Sequence, residues 1–272
     1  MIRKESGPRS SLLEMCHENF IGSFESGARM VPSGAVERIG GLTAVRMGLP
    51  GSGFNLVFGL NHPKSIAQVR EGIERLFLRT NTGFQIVTLP ETLNELEPLI
   101  QELNLTEEEV IPGMVLDPIP DTHPSPPKEL QIRHVGGSEE VTDFLRTAAV
   151  GFGAPPNFFD VWKPGFLAAG AGLSPRDATY VGYVGGKPAA TALCFTTGNV
   201  AGIYIVSTLP EFRRRGFGES MTWRAIAGGR MAGCRLSYLQ ASKMGRPIYE
   251  RMGYRVIEEY SHWKKKVPTI ES

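Results

Sequence analysis

The feature that most limits what this chain can become is a run of prolines near its middle, Asp117-Pro-Ile-Pro-Asp-Thr-His-Pro-Ser-Pro-Pro127. Proline fixes its own φ and carries no amide donor, so neither a helix nor a paired strand runs through such a stretch. Residues 117–128 therefore read as a linker between an N-terminal domain, 1–116, and a C-terminal domain, 129–272. Two cores are affordable at 272 residues, and 41% hydrophobic with 21% charged residues is the usage of packed globular domains.

Periodicity makes both halves mixed α/β. In the first half a helix is expected over Leu12–Phe24, with strands over Ala35–Met47 and Phe54–Leu60 around the turn Gly48–Gly53. A helix capped by Ser65 should follow to about Leu78, then a strand at Phe84–Leu89 and a helix at Glu91–Leu103. In the second half a strand Leu130–Val135 precedes a helix Ser138–Ala149, capped by Ser138, and a shorter helix Asn157–Ala168. A hairpin, Thr179–Val184 and Pro188–Thr196, turns at Gly185-Gly186 and is joined by a strand Val200–Val206. A helix Gly218–Met231, a strand Arg235–Ala241, a helix Arg246–Met252 and a strand Tyr254–Lys264 complete the chain.

Several function classes lose support from bulk properties. Basic residues exceed acidic ones by 29 − 28 = 1, so no field draws the chain to nucleic acid or an anionic membrane. Cys16, Cys194 and Cys234 form no CxxC pair, and His17, His62, His123 and His134 lack ligand spacing, so no metal is expected. No stretch reaches the ~18 apolar residues of a membrane span, and no signal segment opens the sequence, which makes the cytoplasm the default location. Lys264-Lys-Lys266 reads as a solvated strand tail.

The segment that carries chemistry is Val206-Ser-Thr-Leu-Pro-Glu-Phe-Arg213-Arg214-Arg215-Gly216-Phe217-Gly218-Glu219, set between an apolar strand and a helix. A helix start exposes unpaired amides and the positive end of the dipole, which together favour a phosphate. Gly216 and Gly218 allow close backbone approach, and three arginines add charge. The loop lacks the Gly-Lys-Ser/Thr of a P-loop, and Met221 stands where a third dinucleotide-binding glycine would be.

Arg213-Arg-Arg-Gly216-Phe-Gly218 resembles the arginine/glutamine-x-x-glycine-x-glycine/alanine motif of the GNAT family of N-acetyltransferases. The later stretch Leu239–Tyr254 is similar to that family's strand, helix and tyrosine-x-x-x-glycine-aromatic signature, with Tyr249, Gly253 and Tyr254 in the matching places. The resemblance covers the C-terminal half and implies a GNAT fold there, an α/β (α+β) domain with a mixed, mostly antiparallel sheet flanked by helices, with acetyl-CoA as co-substrate and transfer of an acetyl group to a primary amine of a small molecule or peptide. It implies that Arg213 opens the loop and that amides of Arg214, Arg215, Gly216, Phe217, Gly218 and Glu219 hold the coenzyme A pyrophosphate. It further implies that the backbone of Ile205 and Val206, continued by Ser207, pairs with pantetheine and the thioester, that Ser242 touches the cofactor, and that Tyr249 protonates the departing thiolate. No covalent enzyme intermediate is needed, and the protein is expected as a monomer or homodimer.

The sequence names no general base. Asp160 and His262 qualify by location only, the first also reading as a solvated carboxylate and the second as a strand-surface imidazole. The aromatic loop Gly151–Phe159 reads as an acceptor lid or, equally, as core anchors. The N-terminal half has no equivalent glycine-arginine loop, which leaves it as a degenerate copy of the same fold or a different α/β module. A non-catalytic acyl-CoA sensor is the alternative to an enzyme.

Overall fold

The computed structural model describes residues 8–49, 51–174 and 176–265. They form α1 (Pro8–Arg29), β1 (Ala35–Ile39), β2 (Leu42–Arg46), β3 (Asn55–Gly59), α2 (Ile66–Ile73), β4 (Gln85–Thr88), α3 (Pro90–Glu102), β5 (Leu105–Leu116) and β6 (Gln131–His134). There follow α4 (Ser138–Gly151), α5 (Lys163–Ala168), β7 (Ala178–Val184), β8 (Lys187–Thr197), β9 (Val200–Thr208), α6 (Phe217–Met231), β10 (Leu236–Gln240), α7 (Arg246–Arg251) and β11 (Arg255–Lys265). No helix among the described residues is long and apolar enough to cross a membrane.

Contacts divide the chain into two compact units, but not by a single cut at the prolines. One unit joins α1 as far as Ser26 to Met114–Ile257, and the other joins Gly27–Gly113 to β11 from Glu258. The reason lies in side chains that no local pattern reveals. Asn19 of α1 is fully buried. Its amide nitrogen donates to the Phe195 carbonyl at 3.1 Å and to Thr197 Oγ1 at 2.9 Å, 176 and 178 residues away.

In the first unit the strand order is β5-β10-β9-β8-β7-β6, with β5 represented by Met114–Leu116. β6 to β9 are antiparallel neighbours, and β9 pairs in parallel with β10 across the α6 crossover. Helix α6 presses glycines onto the sheet: a Cβ on Gly229 would lie 2.4 Å from Ala201 Cβ, and one on Gly228 2.7 Å from the Tyr180 hydroxyl. These two residues are helix-weakening elsewhere, and here close packing requires them. Met114, Tyr180, Ile203, Met221, Ile226 and Leu239 belong to the buried core between helix and sheet.

The other unit has the order β1-β2-β3-β4-β11, with β3 and β4 parallel across α2 and the remaining pairs antiparallel. Its succession of three antiparallel strands, helix, parallel strand and helix repeats that of β7-β8-β9-α6-β10-α7. Ile73, Phe77, Ile86, Leu96 and Leu99 are in its core.

Four sequence expectations are corrected. Ala35–Met47 is two strands, because Gly40 and Gly41, at φ 55° and 91°, turn the chain between Ile39 and Leu42. Helix α4 is preceded by Gly137 as its cap, not capped by Ser138, and Glu140 reaches back to accept from the Gly137 amide at 3.1 Å. Asn157–Ala168 is not one helix: a 3-10 turn at Asp160–Trp162 hands over to α5, with Pro164 in its first turn. β5 was not foreseen, since Glu107-Glu108-Glu109 interrupts the apolar alternation that marks a strand.

Candidate active site

The site is assembled from a fork in the sheet, a bulge and a helix start, all within the first unit. The parallel ladder between β9 and β10 runs from Val200↔Leu236 to Gly202↔Tyr238, after which β9 continues to Thr208 and β10 to Gln240. Two strands that stop pairing expose backbone donors and acceptors on their facing edges, which a ligand amide can satisfy.

Where the fork opens, β9 carries a bulge. Thr191 lies opposite Ser207 and Leu193 opposite Tyr204, so two steps on β8 face three on β9. The extra residue shows in Ile205, a β-branched side chain at φ 51°. That conformation is costly, of order 1–3 kcal/mol, and persists only where its surroundings enforce it. The enforcement is visible: Thr191 Oγ1 donates to the Ile205 carbonyl at 2.8 Å and lies 2.9 Å from Ser207 Oγ. With the carbonyl held toward β8, the succeeding amides are re-aimed. Ser207 is itself buried, its hydroxyl also 3.4 Å from the Thr147 carbonyl, so its side chain braces the bulge instead of facing the fork.

Beyond Thr208 a 3-10 turn, Pro210–Phe212, leads into the arginine-glycine loop. Arg214 and Gly216 take positive φ, 63° and 76°, and Gly216 at ψ 5° is the left-handed cap of α6, with no side-chain hydrogen bond closing the helix start. The contrast with α2 is direct. There Ser65 caps, its hydroxyl accepting from the Gln68 amide at 3.3 Å. The equivalent crossover helix of one unit is thus closed by its own side chain, and that of the other is left open.

The three arginines do not act alike. Arg213 donates to the carbonyls of Thr208 and Gly151, both at 3.1 Å, and so ties the loop to the ends of β9 and α4. Arg215 is committed to Glu129 through two bonds, at 2.7 and 3.2 Å, with its guanidinium 4.9 Å from the Phe217 ring centroid. Arg214 is exposed and engages no partner among the described residues. Only one of the three is therefore at hand as mobile positive charge. Phe217 is a core side chain, so only its backbone faces the loop, and Glu219 sits in the first turn of α6.

The glycines leave room. A Cβ on Gly216 would meet nothing within 4 Å, and one on Gly218 only Thr208 Oγ1 at 3.6 Å. Neither packing nor backbone geometry demands glycine at 218, where the conformation is helical and alanine would be favoured by up to ~1 kcal/mol.

Tyr249 is half-buried on α7, its ring edge-on to Tyr254 at 5.8 Å. Burial pushes its phenol above the ordinary range, partly offset by the Thr222 side chain on α6, whose hydroxyl also donates to the Gly218 carbonyl at 2.9 Å. Ser242 is exposed and caps the turn before α7, its hydroxyl accepting from the Gly245 amide at 3.2 Å. His262 is no surface imidazole: it is buried in the other unit, bonded to Gln85 at 2.8 Å, and desolvation holds it down at about 4. Asp160 lies 3.9 Å from Arg146, with one carboxylate oxygen buried and unpartnered. In the aromatic loop Phe159 and Trp162 stack at 4.9 Å within the core, while Phe152 is 54% exposed. A separate groove of about 310 Å³ lies toward the other end of α6, lined by Trp223, Arg230 and His123 among others.

Residues 131–257 match the Acetyltransferase (GNAT) domain family. These residues are a GNAT acetyltransferase domain. The GNAT fold extends over most of the chain. A GCN5-related N-acetyltransferase from Kribbella flavida superimposes with a TM-score of 0.68 at 18% identity, covering 92% of this chain and 96% of its own. One from Sphaerobacter thermophilus gives 0.64 at 16% identity, covering 95% and 91%. A tandem GNAT protein from the clavulanic acid biosynthesis pathway gives 0.57 at 14%, covering 86% and 83%. No curated protein matches the sequence. Sequence reasoning about the GNAT domain missed Thr191, Glu129 and Gly151, which hold the bulge and the loop. Their partners lie 14, 86 and 62 residues away, and no spacing rule connects them.

Proposed function

We propose that the GNAT domain transfers an acetyl group from acetyl-CoA to a primary amine of a small molecule or peptide by direct attack. The observation that carries this reading is the open, glycine-capped start of α6 beside the bulged and forked β9, where the matching helix of the other unit is closed by Ser65. Amides from Arg214 to Glu219 receive the pyrophosphate, aided by the helix dipole and by Arg214. Pantetheine lies in the fork, and the Ile205 and Val206 backbone donates to the thioester carbonyl as negative charge develops on it. Tyr249, kept protonated by burial, then supplies a proton to the leaving thiolate. The unit containing β1 to β4 is a degenerate copy with a structural or acceptor-binding role.

The protein incubated with acetyl-CoA and a panel of amines, with free thiol monitored, should release thiol only with particular amines. Tight retention of acetyl-CoA with no turnover on any amine would instead make the protein an acyl-CoA sensor. Gly218→Ala provides a second check with opposite signs. Melting should rise, by up to ~1 kcal/mol of stability, because helix propensity improves without a clash. Calorimetric affinity for acetyl-CoA should fall about tenfold, because the methyl enters the space left for the ligand.

A further inference from the structure

The arginine-glycine loop meets the first turn of α6. Further along that helix Trp223, Ile226, Ala227 and Arg230 follow one another at helical spacing and form a single stripe. The proline-rich strap from Ile119 to His123 runs beside the stripe, and the groove of about 310 Å³ lies between them. That size is at the small end of ligand pockets. The strap is held at two places. The Ile119 amide donates to the Arg235 carbonyl at 2.8 Å, while Arg230 donates to the Asp121 carbonyl at 2.8 Å and pairs with the Asp121 carboxylate.

Two groups on the stripe suit a ligand. Trp223 is only 7% exposed, and its indole N–H is buried with no acceptor among the described residues. Native proteins pair nearly all such donors, so this one calls for an explanation. The Asp121 side chain is 88% exposed, so its ion pair with Arg230 is weak and its carboxylate returns to water at little cost. Around these anchors the walls are apolar: Ile119 and Ile226 belong to the buried core, and Met231 stands 82% exposed at the edge. The strap itself shows which shapes fit. His123 lays a flat ring along the indole, with 11° between planes and 6.0 Å between centroids, and Asp121, two residues earlier, puts a carboxylate on Arg230.

We infer that this groove binds a small aromatic carboxylate. Its ring replaces that of His123 against Trp223, its carboxylate replaces that of Asp121 on Arg230, and an acceptor oxygen at the far end of the ring takes the indole hydrogen bond. Seven residues of helix put the two anchors about 10 Å apart at the backbone, and helical side chains lean toward the helix start, so one substituted ring spans them.

The test titrates the full chain with 4-acetylbenzoate, with 4-acetylbenzamide, which lacks the charge, and with 4-isopropylbenzoate, which lacks the acceptor oxygen. Calorimetry should give a Kd of about 100 μM or tighter for the first and binding at least about tenfold weaker for the other two. Arg230→Gln should erase the preference for carboxylate over amide, and Trp223→Phe that for acetyl over isopropyl, with thermal melts checking that both fold. Of the three tryptophan indole N–H resonances, the one missing from Trp223→Phe should be the one that 4-acetylbenzoate shifts in the wild type. If Trp223→Phe does not fold, the ligand series and Arg230→Gln decide alone. The inference is overturned by no saturable heat with 4-acetylbenzoate up to about 1 mM, by equal binding of the benzamide, by an unmoved Trp223 resonance, or by an Arg230→Gln protein that keeps the carboxylate preference. Acetyl-CoA takes no part in these readouts, so the acyl-donor reading stands or falls separately.

Discussion

Gly216→Val is expected to weaken acetyl-CoA binding by at least about 100-fold, ~3 kcal/mol, while the protein stays folded. Gly216 sits at φ 76°, ψ 5°, a conformation that costs a β-branched residue of order 1–3 kcal/mol. Nothing in the protein obstructs the new side chain, since a Cβ there meets no atom within 4 Å. The strain can therefore relax only by the backbone leaving the left-handed region, and that rotation turns the amides of 215–218 away from a common point. A domain holding ~5–15 kcal/mol of stability survives the substitution. A pyrophosphate site made of converging amides does not. Calorimetry with acetyl-CoA, alongside circular dichroism and a thermal melt, measures both. A folded variant with unchanged affinity would place the ligand somewhere else.

The second large effect is on chemistry instead of binding. Tyr249→Phe should lower kcat about 100-fold, the usual scale for removing a proton donor, with acetyl-CoA affinity unchanged. Phenylalanine keeps the ring that packs beside Tyr254 and against Gly245, whose Cβ position lies 2.8 Å from the Tyr249 ring, so little stability is at stake. The pH dependence distinguishes a proton donor from a packing residue. Because burial raises the phenol, the donor form persists through neutral and mildly alkaline pH, and wild-type kcat should fall only above the ordinary tyrosine range. That alkaline limb should be missing from the variant. Retention of full kcat by Tyr249→Phe would assign thiolate protonation to water.

The two units show what a repeated fold can keep and what it can lose. Both contain a parallel strand pair joined across a helix, α2 in one and α6 in the other. At α2 the chain Leu60-Asn-His-Pro-Lys-Ser65 ends in a side-chain cap. At α6 a left-handed glycine caps the helix with no side-chain hydrogen bond. A serine cap and a bound phosphate compete for the same amides, so under the proposed function the same architecture supports a structural helix in one case and an anion site in the other.

Local chemistry was readable without coordinates. Ser65 was legible as a cap because capping acts within three residues, and the arginine-glycine loop was legible because a glycine-rich turn before a helix has a physical meaning of its own. The Gly40-Gly41 turn was legible in principle but lay hidden inside a convincing alternation. The tertiary structure alone decided which unit α1 joins, that Arg213 and Arg215 are tethers while Arg214 stays available, and that Thr191 holds Ile205 in a strained bulge. It also brought Asn19 onto β9, where its side-chain oxygen accepts from the hydroxyl of Tyr204, 185 residues away. Helix caps and turns depend on neighbours along the chain, whose identities are written side by side. A side chain's partner across a sheet depends on which faces meet after folding, and spacing along the chain carries no trace of that.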